Sequence, residues 1–226
     1  DPDGRFDLIV SAMPHEGNWL PMTPESSMLI VRQTFLDRTK ERRAELTIAR
    51  HPTAVEPKPL DPATVATRLA NAARFVEGTA RVFADWARDF AAQPNALPRQ
   101  DQQRYLAAGG DPTIHYYHGY YRLGPDDALV VEVPRIPPCE SWNLQINNHW
   151  MESLDYRYHR AHVNKHTAVY APDGRCTIVI ARRDPGCSNW LDTAGHAEGT
   201  LCFRWIGASE IVDPSARVVP LASLLS

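Results

Sequence analysis

Long apolar runs are missing from this chain. Uninterrupted stretches such as Leu129 to Val131 and Ile178 to Ala181 are far shorter than the roughly 20 residues a helix needs to cross a bilayer, so a membrane-spanning helix is not expected. No Lys/Arg run is dense enough to follow a phosphate backbone, and the net charge is -3 with a pI near 6.3; nucleic acid and anionic membrane are set aside as partners. The four cysteines, Cys139, Cys176, Cys187 and Cys202, include no CxxC pair and sit in a chain of 226 residues, too large to need stapling. That favours reduced thiols and a cytoplasmic location, with Cys176 and Cys202 as small buried hydrophobes on strands. HxH and HExxH pairs, a GxSxG elbow and a glycine-rich phosphate loop are all lacking, which removes the usual sequence marks of a metal centre, a serine nucleophile and a nucleotide site. No metal and no cofactor are expected.

What is present describes a globular domain. Hydrophobic residues make up 43% and charged residues 23%, with a mean hydropathy of -0.39, which is enough apolar material for one substantial core. The chain opens on the turn sequence DPDG directly before the apolar run Phe6 to Val10. A strand that starts at once needs neighbours, so a further N-terminal region of the same protein is expected ahead of Asp1.

Part of the sequence repeats. PDGRFDLIV at Pro2 to Val10 returns as PDGRCTIVI at Pro172 to Ile180, and NWL at Asn18 to Leu20 returns at Asn189 to Leu191. Each NWL leads into an apolar strand holding one arginine, LIVRQTF with Arg32 and LCFRWIG with Arg204; the offset drifts only from 170 to 172. Two related strand–loop–strand units are expected, with Trp19 and Trp190 capping the core rather than serving as ligand platforms.

Between the repeats, Glu45 and Thr47 alternate with Leu46 and Ile48 in a further strand. Prolines at 52, 57, 59 and 62 then make Thr53 to Leu60 an extended connector. Asp61 before Pro62 is a helix start. Val65, Leu69, Ala72, Val76, Phe83, Ala87 and Phe90 continue from it as one apolar stripe, expected to pack on a sheet. A shorter helical piece, Gln100 to Ala108, ends at Gly109 and Gly110. HYYHGYYRL, GPDDA and LVVEVPRI then read as strand, turn and strand. Val163 to Tyr170 and the tail from Val212 to Leu225 complete a mainly β (α+β) chain. It is expected to be one antiparallel, jelly-roll-like β-sandwich domain over 1–226 with a helical insertion at about 61–110.

The most informative stretch runs from Glu140 to Tyr170. Trp142, Leu144 and Ile146 alternate with Asn143, Gln145, Asn147 and His149, so an extended strand buries the first set and leaves a row of amides on its other side. Amides on a sheet must bond to something. Seven of nine histidines fall between His115 and His196, but His162 and His166 on one strand face would stand roughly 13 Å apart, too far to share an ion. Glu140, Glu152 or Asp155 with His149 or His159 would suit acid–base chemistry; pairing of those carboxylates with Arg157 and Arg160 is the structural alternative. The reading that uses most residues is a face for a small, polar, carbohydrate-like ligand. Its contacts would be Asn143, Gln145, Asn147, His149, Arg157 and His159, with Trp150 or Tyr158 stacking on the ligand's apolar side. The alternative is a non-catalytic structural or assembly domain, whose polar face packs against the N-terminal region or a second subunit of a homo-oligomer.

The run PRIPPCESWNLQINNHWMESLDYRYHR, continued through HVNKHT and NWLDTAGHAEGT, resembles the bacterial domain-of-unknown-function family 1214, and NWLPMTPESSMLIVRQTFLDR resembles an earlier part of the same proteins. The resemblance covers nearly the whole chain and is most specific in Trp142 to Tyr158 and Asn189 to Gly199. It implies a jelly-roll-like sandwich, often preceded by a further β-rich region, and brings no catalytic residues to carry over.

Overall fold

The computed structural model describes residues 3–50 and 59–224. Residues 53–58 of the expected connector, Asp1 and Pro2 of the opening turn, and Leu225 of the tail lie outside the described residues. Two compact units divide the chain, Asp1–Phe35 with Arg42–Leu46, and Leu36–Glu41 with Thr47–Ser226.

The first unit holds β1 (Ile9–Ser11) and β2 (Trp19–Pro21), paired in parallel with Ile9 opposite Trp19. Parallel neighbours ordinarily need a long crossover. A short loop suffices here because side chains supply the missing rungs: Asn18 Nδ2 donates to the Asp7 carbonyl and the Trp19 indole to the Ser11 carbonyl, both at 3.1 Å. Residues 29–35 and 44–49, expected as strands, form none. Alternation suits a segment to a half-buried sheet, but a strand also needs a neighbouring strand to take its backbone bonds; here the Gln33 side chain takes those of Ala44 instead, at 3.1 and 2.9 Å.

In the second unit, α1 (Pro62–Ala91) and α2 (Gln103–Ala107) precede β3 (Ile114–Arg122), β4 (Asp127–Val133), β5 (Ser141–Ile146), β6 (His162–Asn164), β7 (Cys176–Ala181), β8 (Trp190–Asp192), β9 (Glu198–Ile206) and β10 (Ser215–Pro220). The strands form two four-stranded sheets, in the orders β10-β4-β7-β8 and β3-β9-β5-β6. The chain is mainly β, as expected. The expectation of a wholly antiparallel arrangement fails at β7 and β8, which run parallel with Val179 opposite Trp190. There the bonds of the first unit recur: Asn189 Nδ2 donates to the Thr177 carbonyl at 2.9 Å and the Trp190 indole to the Ala181 carbonyl at 3.1 Å. The sequence repeat is therefore a repeated hook, and each NWL tryptophan straps its two strands together.

One core lies between the sheets. Leu129, Val131, Cys176, Ile178 and Ile180 from one sheet meet Tyr117, Trp142, Leu144, Leu201, Phe203 and Trp205 from the other. Trp142 stacks on Phe203 with centroids 5.6 Å apart, and Trp205 meets Phe203 edge-on at 4.9 Å. Burying each such side chain contributes about 1.5–3 kcal/mol. The four cysteines are free thiols, with Cys176 and Cys202 buried on β7 and β9.

β3 is an edge strand, and side-chain carboxamides sheathe it. Asn95 bonds both the amide and the carbonyl of Arg122, Gln100 those of His118, and Gln102 those of Tyr116, at 2.8–3.0 Å. These amides belong to the segment after α1. Asp61 caps that helix, its carboxylate accepting from the Thr64 amide at 2.8 Å. Only the last turns of α1 pack: Ala87 and Phe90 are buried, whereas Leu69, Phe75 and Val76 are about two-thirds exposed, at 66%, 70% and 66%. The expectation that the whole stripe packs on a sheet is corrected to its C-terminal third. The helix period sets which residues share a face, and only the last turns reach β3 and β9.

The expected strand from Val163 to Tyr170 is also shorter. β6 stops at Asn164, whose Oδ1 accepts from the amides of His166 and Thr167 at 2.9 and 3.0 Å. That local turn competes successfully with the ladder.

Candidate functional site

Residue alternation puts a second row of side chains on the outer face of the sheet β3-β9-β5-β6. Register aligns Tyr116, Arg204, Asn143 and Asn164 across the four strands on one rung, and His118, Cys202, Gln145 and His162 on the next. Asn143 and Gln145 are half-buried while Trp142, Leu144 and Ile146 are sealed, as their alternation requires.

Arg204 is the centre of the amide row. Its Nη1 donates to Asn143 Oδ1 at 3.0 Å and to Gln145 Oε1 at 3.1 Å, and its guanidinium lies 5.9 Å from the Tyr116 ring centroid. Gln145 Nε2 donates on to Asn147 Oδ1 at 2.8 Å, and Asn147 Nδ2 reaches Thr200 Oγ1 at 3.4 Å. Asn147 is 3% exposed and forms a bridge with Ser153. It closes the strand, and the chain then turns.

His149 and Trp150 lie in that turn, so His149 falls beyond the strand on which the alternation places it. His149 nevertheless joins the face, because Tyr120 Oη and His149 Nδ1 share a hydrogen bond at 2.7 Å. Trp150 packs edge-on against the His149 ring at 4.7 Å and is 57% exposed. Glu198 stands beside them, bonded by Arg122 at 2.9 Å. Burial and then the Glu198 carboxylate raise the Tyr120 hydroxyl above its ordinary value. The Arg122 bond holds Glu198 below the usual carboxylate range. Tyr120, His149, Glu198 and Arg122 thus form a second polar group on the same face, able to accept, donate and move a proton.

The neighbouring rung is closed. Phe90 of α1 stacks on His118 with centroids 5.0 Å apart, and Tyr105 of α2 covers it at 4.8 Å. Burial, followed by the charges of Arg204 and Arg104, pushes His118 down to about 3. It faces the buried Cys202 thiol at 3.5 Å.

The structure leaves two of the expected contacts elsewhere. Arg157 makes a forked pair with Asp155 at 2.9 and 2.7 Å on the exposed loop after β5, the structural pairing weighed for it. His159 donates from Nδ1 to Asp192 at 2.7 Å, at the β8 end of the opposite sheet. Among the described residues no three His, Cys, Asp or Glu side chains gather to share a metal ion, and no helix is long and apolar enough to cross a membrane. Sequence reasoning passed over Arg204, Tyr120, Glu198 and Arg122 as site residues. Arg204 carried a signal, one charge in an otherwise apolar strand, but only register shows what faces it.

Fold and face together define a mainly β domain with an arginine-centred polar sheet surface. Residues 121–210 match the family model described as "Protein of unknown function (DUF1214)". The crystal structure of an uncharacterised protein from Burkholderia cenocepacia is 49% identical with a TM-score of 0.91, over 99% of this chain and 62% of that one. The chain thus spans less than two thirds of that protein's length. A Vibrio parahaemolyticus crystal structure is 20% identical over 51% of this chain and 33% of that one, with a TM-score of 0.39. No curated protein matches.

Proposed function

We infer that this is a ligand-binding domain, a jelly-roll-like sandwich whose outer sheet face takes a small polar molecule. The observation that carries the reading is the convergence of Arg204, Asn143, Gln145, Tyr120 and His149 from three adjacent strands and a turn onto one surface. Trp150, exposed at the edge of this group, offers an apolar wall of the kind on which sugars and other amphipathic ligands pack. Saturation-transfer NMR with a panel of monosaccharides, polyols and their acids tests it. Transfer to a panel member in the wild type, lost in Arg204→Met, is the expected result; equal transfer in both proteins, or none in either, refutes it.

A second reading, an assembly domain, is favoured by the exposed apolar residues Leu69, Phe75 and Val76 on α1, a concentration of the kind that partner surfaces carry. A second subunit or an N-terminal region of the same protein would cover them. Light scattering decides for the subunit: a dimer that Val76→Lys converts to monomer supports it, and a concentration-independent monomer removes it.

A further inference from the structure

The ligand-face reading leaves the chemical class of ligand open, and the hydrogen bonds around Arg204 narrow it. Arginines on the same two sheets have carboxylates beside them: Arg122 pairs with Glu198 directly across β9, and Arg217 with Glu132 on β4. Arg204 has Asn143 and Gln145 in the equivalent places, neutral counterparts of Asp and Glu. Among the described residues no carboxylate comes within ion-pair distance of Arg204, and its only recorded hydrogen bonds leave from Nη1. Among the described residues the side-chain polar atoms sealed without a partner are His115 Nε2, His118 Nδ1 and Thr193 Oγ1, and Nε and Nη2 of Arg204 are not among them.

Each carboxamide oxygen in this network already accepts one hydrogen bond. Asn143 Oδ1 and Gln145 Oε1 receive Arg204, and Asn147 Oδ1 receives Gln145. The donors of this network for which no hydrogen bond is seen among the described residues are the Nε–Nη2 edge of the guanidinium and Nδ2 of Asn143. A half-buried cation whose hydrogen-bond partners are neutral amides calls for an anion. The Nε–Nη2 edge is a planar fork that matches two carboxylate oxygens, and a single positive charge balances a monoanion better than a phosphate.

We propose that Arg204 and Asn143 form a binding site for the carboxylate group of a small organic acid. The assignment rests on the ligand-face reading above and sharpens it from polar to anionic. Arginine side-chain NMR spectra of the full chain, titrated separately with acetate, glucose and inorganic phosphate, test it. Acetate is expected to move the Arg204 Nε resonance saturably and the other arginines little. Asn143→Asp, nearly isosteric with the native residue, places a carboxylate across from Arg204; it is expected to raise the melting temperature and abolish the acetate response. An Arg204 resonance indifferent to acetate, a stronger response to phosphate, or an Asn143→Asp variant that still answers acetate as the wild type does would overturn the assignment. If glucose perturbs β5 and acetate does not, the ligand face stands and its anionic character falls; if neither acts, both fall.

Discussion

His118 shows how a single side chain on this face can be structural while its neighbours stay available. It is 6% exposed, stacked by Phe90 and covered by Tyr105; burial pushes its imidazole down to about 3. The folded state therefore keeps His118 neutral while the unfolded chain protonates it near the ordinary value of about 6.5. Between those two values the unfolded state binds more protons, so this residue's contribution to stability is whole above about pH 6.5 and is lost as pH falls towards 3. The slope approaches about 1.4 kcal/mol per pH unit inside the window. Urea denaturation across that range is expected to show it in the wild type and to lose it in His118→Phe; an unchanged slope in the variant would place the proton elsewhere. At this scale the amide row was legible, since Asn143, Gln145 and Asn147 stand in strict alternation with apolar residues. Arg204 as their common partner was not, because pairing across β9 and β5 depends on a register that spacing within one segment does not encode.

Elements show the same division between local and long-range causes. The hook of β7 and β8 hangs on Asn189, whose side chain donates to the Val169 and Thr177 carbonyls at 2.7 and 2.9 Å and accepts the Val169 amide at 2.8 Å. Asn189→Ala leaves those partly buried backbone groups without the Asn189 side chain and is expected to cost about 1–3 kcal/mol, read as a lower denaturation midpoint. On α1 a contrast is expected between two apolar residues of one stripe. Phe90→Ala should cost about 3–5 kcal/mol, whereas Leu69→Lys should stay within about 0.5 kcal/mol of wild type in the monomer. Equal losses would mean that the exposed part of the helix packs after all. The cap at Asp61, the stop at Gly109 and the repeat of NWL were readable in the sequence because each is set by neighbours in the chain, whereas the parallel pairing within each repeat was not. The exposure of α1 and the non-strand course of residues 29–35 and 44–49 were not, since periodicity reports a face's character and not what lies against it.

For the whole molecule, the two sheets bury one aromatic core and leave a polar face on which Arg204 is held by neutral amides. The helical segment closes the β3 side of that face over His118, sheathing the edge with Asn95, Gln100 and Gln102. The Arg204 and Tyr120 groups stay beside it on the same surface. The family match and the Burkholderia cenocepacia structure support the fold, and the face is what this chain's own residues add to it. Backbone amide shift mapping of the full chain with acetate is the most direct test that the face binds. The account predicts changes confined to β5, β9 and the turn after Asn147, absent in Arg204→Met. Changes centred on the His159–Asp192 pair, or a map identical in the variant, would contradict it.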